Sequence, residues 1–252
     1  MIFNRLTVPQ YAIRSVKIHQ KVRLAFLADL HSCRYGKGQG ELLDILDDHT
    51  PDLVLLGGDI LDDSLPPDNT LTVLEYIGGR WPSFYVSGNH EWRRGKIEWA
   101  KEAVASRGVH VLAGDCLPLT VGAQTLEICG VDDPAGGREA FFQQLEACAA
   151  GRTDGRFGIL ISHRPERIGD CLPYGFDLVL SGHAHGGQWR LPGIINGLYA
   201  PGQGLFPKYA GGEYRLGETT LLVSRGLARK STPLVPRLFN PPELVITDLL
   251  PR

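Results

Sequence analysis

No run of the 252 residues is long and apolar enough to span a bilayer. The opening stretch, MIFNRLTVPQYAIRSVKIHQK, is too polar for the apolar part of a secretory signal. The expectation is a cytoplasmic or membrane-peripheral protein, with an anchor or export signal on a longer form left open. An excess of either charge is also missing. The 26 Lys and Arg against 28 Asp and Glu leave a net charge of −2, which excludes bulk attraction to nucleic acid or to an anionic membrane. Any attraction for a phosphate has to be local. Cysteine is sparse: Cys33, Cys116, Cys129, Cys148 and Cys171 stand far apart with no CxxC pair. The odd count and wide spacing argue for free thiols in a reducing compartment and against a disulfide framework or thiolate zinc site. Repeats of solenoid length and low-complexity tracts are absent as well. What remains, at 43% hydrophobic and 21% charged residues, is ordinary for a globular protein.

Within that ordinary composition one pattern recurs: a short apolar strand, one or two small residues, then a side chain able to hold a metal. Leu24 to Ala28 ends in Asp29-Leu30-His31, and Leu53 to Leu56 passes through Gly57-Gly58 to Asp59. Phe84 to Val86 passes through Ser87-Gly88 to Asn89-His90, and Ile159 to Ile161 through Ser162 to His163. Leu178 to Leu180 leads into SGHAHGG, which presents His183 and His185. Five of the eight histidines stand at these ends; His19, His49 and His110 are left without a role.

The intervening text reads as strand–helix alternation. Residues 11–28 form two strands with Gln20-Lys21 as a turn between them. Helices are expected over Gly40–His49, from a cap at Asp68 or Asn69 through Ile77, and over Lys96–Arg107. Such alternation predicts an α/β fold with a parallel sheet. Beyond residue 108 come short strands at 109–112, 117–121 and 125–131, a helix from Arg138 to Ala149 and a strand at 157–161. A Gly/Pro-rich loop at 192–212, a hairpin from Glu213 to Val223 and a final strand from Glu243 to Thr247 follow. The ligand-bearing loops run from residue 29 to 185, and a cut into two domains would split them. One domain over residues 1–252 is expected.

In open α/β sheets ligands bind beyond the carboxyl ends of the strands. Asp29, His31, Asp59, Asn89, His163, His183 and His185 offer seven donors, too many for one ion but suited to two ions sharing a carboxylate. Two dications about 3.7 Å apart repel by about 18 kcal/mol at an effective dielectric of 20, so an anion must lie between them. An aspartate and a hydroxide serve that purpose, and the positive charge left over favours a phosphate oxyanion.

The ordered series DLH, GGDILD, GNHE, SH and GHAHGG resembles the calcineurin-like metallophosphoesterase family across roughly residues 22–190. GGQWRLP, PGQGLFPKYAGG and SRGL resemble, more loosely, a bacterial phosphodiesterase branch whose members are often membrane-attached or exported. The resemblance implies a four-layer α/β/β/α sandwich of two mixed sheets. It implies a metal-dependent phosphoesterase, with a phosphate ester as substrate and Mn²⁺, Fe or Zn²⁺ as the two cofactor ions. Asp29, His31 and His185 would hold one ion, Asn89, His163 and His183 the other, with Asp59 bridging. Metal-bound hydroxide would attack phosphorus in line. His90 would assist the leaving group, oriented by Asp62. Glu91 departs from the commoner Asp, and Ala184 from a commoner polar residue. Association with a membrane surface rests on the resemblance alone.

Alternatives stand beside these assignments. Asp62 reads equally as a solvated loop acid beside Asp63. Arg34, Arg93, Arg94 and Arg164 follow the motifs as phosphate clamps or as surface charge, and Lys208 and Tyr209 as groove or as packing. Cys33, two residues from His31, reads as packing. Two rival functions share the pattern: a lipid-linked pyrophosphate hydrolase of the UDP-diacylglucosamine type, and a non-catalytic scaffold on the same fold.

Overall fold

Leu24 to Ala28 show how the sequence builds the centre of the molecule. Leu24, Phe26 and Ala28 point into one apolar layer, while Ala25 and Leu27 point into another. The strand is buried on both faces, so it reads as continuous rather than alternating hydrophobicity. In the computed structural model, which describes residues 5–191, 193–229 and 237–252, that pattern repeats in both sheets.

The first half contains β1 (Gln10–Ser15), β2 (Val22–Leu27), α1 (Gly40–His49), β3 (Leu53–Gly57), α2 (Asp68–Gly78), β4 (Ser83–Val86), α3 (Asn89–Trp92), α4 (Ile97–Ala105) and β5 (His110–Val111). The second contains β6 (Cys116–Val121), β7 (Gln124–Gly130), α5 (Arg138–Ala150), β8 (Phe157–Ile161), α6 (Ile168–Cys171) and β9 (Leu178–Ser181). The ladder of β10 (Tyr199–Ala200) and β11 (Gly204–Leu205), the hairpin of β12 (Gly212–Leu216) and β13 (Thr219–Val223), and β14 (Val245–Pro251) complete the chain. One six-stranded sheet has the order β1-β14-β2-β3-β4-β5 and the other β12-β13-β9-β8-β7-β6. Both are mixed: β2, β3, β4 and β5 run parallel, as do β13, β9, β8 and β7, with antiparallel partners nearer the edges.

The inner faces meet in a shared core in which Phe26, Leu55 and Val86 pack with Ile128, Ile159 and Leu180. Helices α1, α2 and α4 cover the outside of the first sheet through Leu46, Leu74 and Val104. Helix α5 covers the second through Phe141 and Leu145, beside α6. Burial of each such side chain contributes about 1.5–3 kcal/mol. The result is the expected four-layer α/β/β/α sandwich. Among the described residues no helix is long and apolar enough to cross a membrane.

Several sequence readings are corrected. The two strands within residues 11–28 exist but do not pair with each other: β14 inserts between them, parallel to β1 and antiparallel to β2. The final strand accordingly runs to Pro251, because it has a partner on both sides. Helix α2 carries neither Asp68 nor Asn69 as a capping side chain; Asn69 donates instead to the Ser32 carbonyl at 3.0 Å, tying the helix to the loop after β2. The single-turn helices α3 and α6 are too short to leave a periodic signal. The expectation of free thiols fails at one pair. Cys116 and Cys129 face each other across the β6–β7 ladder with Cα atoms 4.0 Å apart and form a disulfide, which removes the argument for a reducing compartment. Cys33, Cys148 and Cys171 are thiols.

Candidate metal centre

The central strands of both sheets end on one edge, and the loops leaving them turn sharply. Asp29, His31, Asp59, His183 and His185 all have φ between 46° and 65°, a region that non-glycine residues seldom occupy. Five such residues at one edge mark a backbone held in place by its surroundings. The Asp29 amide donates to the Gly58 carbonyl and that of His31 to the Asp59 carbonyl, both at 3.0 Å, so the loops after β2 and β3 are laced together. Across the sandwich, the His183 amide donates to the Asp29 carboxylate at 3.0 Å.

Six of the seven expected donors converge there, and the seventh, Asn89, opens α3 with a buried Oδ1 and lines a cleft with His183. The donor atoms of Asp29, His31 and His185 lie within 4.8 Å of one another, as do those of Asp59, His163 and His183. Asp59 stands between the sets. Its Oδ1 accepts the His90 amide at 2.7 Å, while Oδ2 faces His163 Nε2 at 3.3 Å, His31 Nε2 at 3.6 Å and His90 Nε2 at 4.0 Å. His163 Nδ1 donates to the Gly57 carbonyl at 2.7 Å, which turns Nε2 toward Asp59, and His31 Nδ1 lies 3.2 Å from Asp62. Partners on the far ring nitrogen are what orient metal-binding imidazoles.

Chemistry supports the fit. His31 Nε2, Asn89 Oδ1, His163 Nε2, His183 Nε2 and His185 Nδ1 are buried and have no hydrogen-bond partner among the described residues. Buried polar atoms without partners are costly and call for an explanation. Five of them around two buried carboxylates suit cations held by N and O donors. Protonation tells the same story. Burial, with Asp59 adding to it, raises Asp29 to about 6. Burial opposes the charge of His163, but Asp59 and Asp29 outweigh it and lift the group to about 10. Asp59 is held well below its ordinary value by His163 and His31 in spite of burial. His183 and His185 are pushed far down by burial, which keeps their lone pairs available. Protons thus occupy ground that cations would take.

The geometry around His90 departs from expectation. Its Nδ1 donates to Asp63 at 2.9 Å, whereas the Asp62 carboxylate is 3.9 Å from that atom and closer to His31. Arg93 donates to His90 Nε2 at 2.8 Å. Arg164 makes a two-pronged pair with the buried Asp133 at 2.7 and 2.8 Å. Arg34 is exposed and donates to the Gly36 carbonyl, and the Arg94 side chain lies outside the described residues. Tyr209 is packed against Tyr214, with Lys208 over its ring, which fits the packing reading. Cys33 belongs to none of the donor sets.

Sequence reasoning missed the residues that brace these loops. The carboxylate of Glu91 accepts four backbone amides, from Asp59 (3.1 Å), Ile60 (2.8 Å), Leu61 (3.1 Å) and Gly88 (2.8 Å). Its signal was a glutamate three residues after Gly88, the spacing of a helix-start box. Asn240 donates to the carbonyls of His185 and Gln188, and a Cβ on Gly226 would lie 2.6 Å from Asp29 Oδ2. Nothing local in the sequence pointed to either.

Two clefts adjoin the donors. One of about 470 Å³ lies beside His31 and His90 and carries Arg34 and Arg229. The other, about 380 Å³, lies beside Asn89 and His183 and carries Arg93 and Arg164.

A four-layer sandwich with this donor set defines a class, the metal-dependent phosphoester hydrolases. The family model of the calcineurin-like phosphoesterases matches residues 22–187, and the chain belongs to that family. A metallophosphoesterase of Helicobacter pylori is 28% identical over 94% of this chain and 62% of its own length, so the chain spans under two thirds of that relative. Phosphodiesterase YaeI of Escherichia coli is 28% identical over 81% of this chain and 74% of its own. Among solved structures, the NAD nucleotidase of Haemophilus influenzae shares the fold with a TM-score of 0.56 at 15% identity, over 83% of this chain and 46% of that one.

Proposed function

We propose that the chain, acting as one unit, is a dinuclear metal-dependent phosphodiesterase. The observation that carries this reading is the convergence of six N and O donors from strand ends, with Asn89 beside them, five of the seven donor atoms being buried without a hydrogen-bond partner among the described residues. Asp29, His31 and His185 would hold one divalent ion and Asn89, His163 and His183 the other, with Asp59 shared. Mn²⁺, Fe and Zn²⁺ all suit such donors. Two bound dications would supply Lewis acidity toward water and the phosphoryl oxygens.

The chain's own groups do the remainder. Asp63 holds the Nδ1 proton of His90, so Nε2, which accepts from Arg93 at 2.8 Å, is the atom that would take up a proton once Arg93 is displaced and pass it to the leaving oxygen. Arg93, now on Nε2, is within reach of a phosphoryl oxygen once substrate displaces it. A cleft on each side of the donors leaves room for both ester substituents, which favours a diester over a monoester. The scaffold reading is disfavoured because no donor is missing.

The test is a metal-reconstituted panel of aryl monoesters, aryl diesters, cyclic nucleotides and lipid-linked pyrophosphates. Diesters are expected to turn over fastest. His90→Ala is expected to retain both ions by elemental analysis while losing about 10²–10⁴-fold in turnover. Full activity in that variant, or no ester hydrolysis by the loaded protein, sinks the reading.

A further inference from the structure

The seven donors do not share negative charge evenly between the two ions. Asp29 belongs to the first set alone, and Asp59 stands between the sets. Asn89, His163 and His183 bring the second ion no carboxylate of its own, only a share of Asp59. Two dications held close together repel, so the set with less anionic charge is the weaker of the two. A further acid beside the second set would correct the imbalance, and Glu166 stands in that place.

Glu166 follows β8 three residues after His163, in a short helical turn that Pro165 opens. Its Oε1 lies 3.9 Å from His183 Nε2, and its side chain is only 17% exposed. Its Oε2 is buried without a hydrogen-bond partner among the described residues, and so is His183 Nε2. The neighbouring cations are committed elsewhere. Arg164 makes its two-pronged pair with Asp133, and Arg167 pairs with Asp170 at 2.7 Å. Among the described residues no Lys or Arg forms an ion pair with Glu166. The turn between β10 and β11 also holds the carboxylate in place, because Gly202 leaves no space for a Cβ beside Oε1. A mostly buried carboxylate with an unpartnered oxygen and no paired cation is costly unless a cation occupies the space it faces.

We propose that Glu166 is a positioning carboxylate of the second metal site, supplying beside His183 the negative charge that Asn89, His163 and His183 lack. Its oxygens fall outside the two compact donor sets, so it acts at longer range than a ligand, through its charge and through the His183 ring. The inference rests on the dinuclear reading above and adds an eighth residue to it. Gly202 also lines the cleft beside Asn89 and His183, so the turn that fixes Glu166 forms part of a wall of that cleft.

Manganese binding to the full chain is the test, with free Mn²⁺ measured by electron paramagnetic resonance. The unaltered protein is expected to take up two ions. Glu166→Gln keeps the shape and removes the charge, and it is expected to hold one ion about 10–100-fold more weakly and the other nearly as before. In an Asn89→Ala background, the ion that stays tightly bound should be indifferent to Glu166→Gln; its loss would assign Glu166 to the Asp29 set and overturn the proposal. Glu146→Gln, which removes the same charge from an exposed position on α5, should bind both ions like the unaltered protein. Without metal, Glu166→Gln is expected to melt at the same temperature or higher, since an unpaired charge has gone. A lower melting temperature would make the residue structural and overturn the proposal. Equal affinity for both ions in Glu166→Gln overturns it and leaves the dinuclear reading intact, whereas an unaltered protein that binds fewer than two ions overturns both.

Discussion

Replacing Glu91 with alanine tests how the metal loops are held. The carboxylate accepts four backbone amides from residues 59–61 and 88, and it is buried. Alanine strands those amides at a cost of at least about 1 kcal/mol each, or about 4 kcal/mol together. Against this stands the cost of the buried charge. Burial first, then the neighbouring Asp59, raises the acid from 4.5 to about 7. A raised folded value means the group's stabilisation is complete below about 4.5 and is lost as pH climbs through about 7. That shift corresponds to about 3 kcal/mol at pH 8. Glu91→Ala should therefore cost about 3 kcal/mol at pH 5 and only about 1 kcal/mol at pH 8. With about 2–4 °C per kcal/mol for a chain of this size, melting should drop by about 6–12 °C at pH 5 and by a few degrees at pH 8. Thermal unfolding of chelator-treated protein at both pH values reads this directly. An equal drop at both, or a larger one at pH 8, would falsify the reasoning.

Three further outcomes follow from the site. Gly226 has a φ of 74° and no space for a Cβ beside Asp29; Gly226→Ala should cost about 1–3 kcal/mol and displace a donor, seen as lower melting and lost metal on elemental analysis. Asp62→Asn should weaken metal affinity about 10–100-fold through His31, whereas Asp63→Asn should keep the metal and slow turnover like a His90 variant. The reverse pattern in metal titrations and rates would exchange their roles. Chelation should abolish activity, and divalent metal at about 100 times its Kd should restore it with about 3 kcal/mol of added stability, measurable as a rise in melting temperature.

Much of the fold and nearly all of the candidate donor set were legible because their signals are local. An apolar run buried on both faces ends where a small residue permits a sharp turn, and the next polar side chain is left at the sheet edge. Asp29, Asp59, Asn89, His163 and His183 follow from that alone. The Asp62–Asp63 pair was not legible, since neighbouring acids differ only in where the loop after β3 turns. The Cys116–Cys129 bond depends on hairpin register, and the support from Asn240 and Gly226 crosses long stretches of chain.

The amino-acid order by itself therefore determined the central strands of both sheets and which side chains stand at their ends, through interactions within a few residues. Only the tertiary structure decided that β14 enters between β1 and β2, that Asp63 rather than Asp62 meets His90, and that Glu91 binds two loops at once. These arrangements join residues far apart in the chain, and their energies exist only after the two sheets have packed.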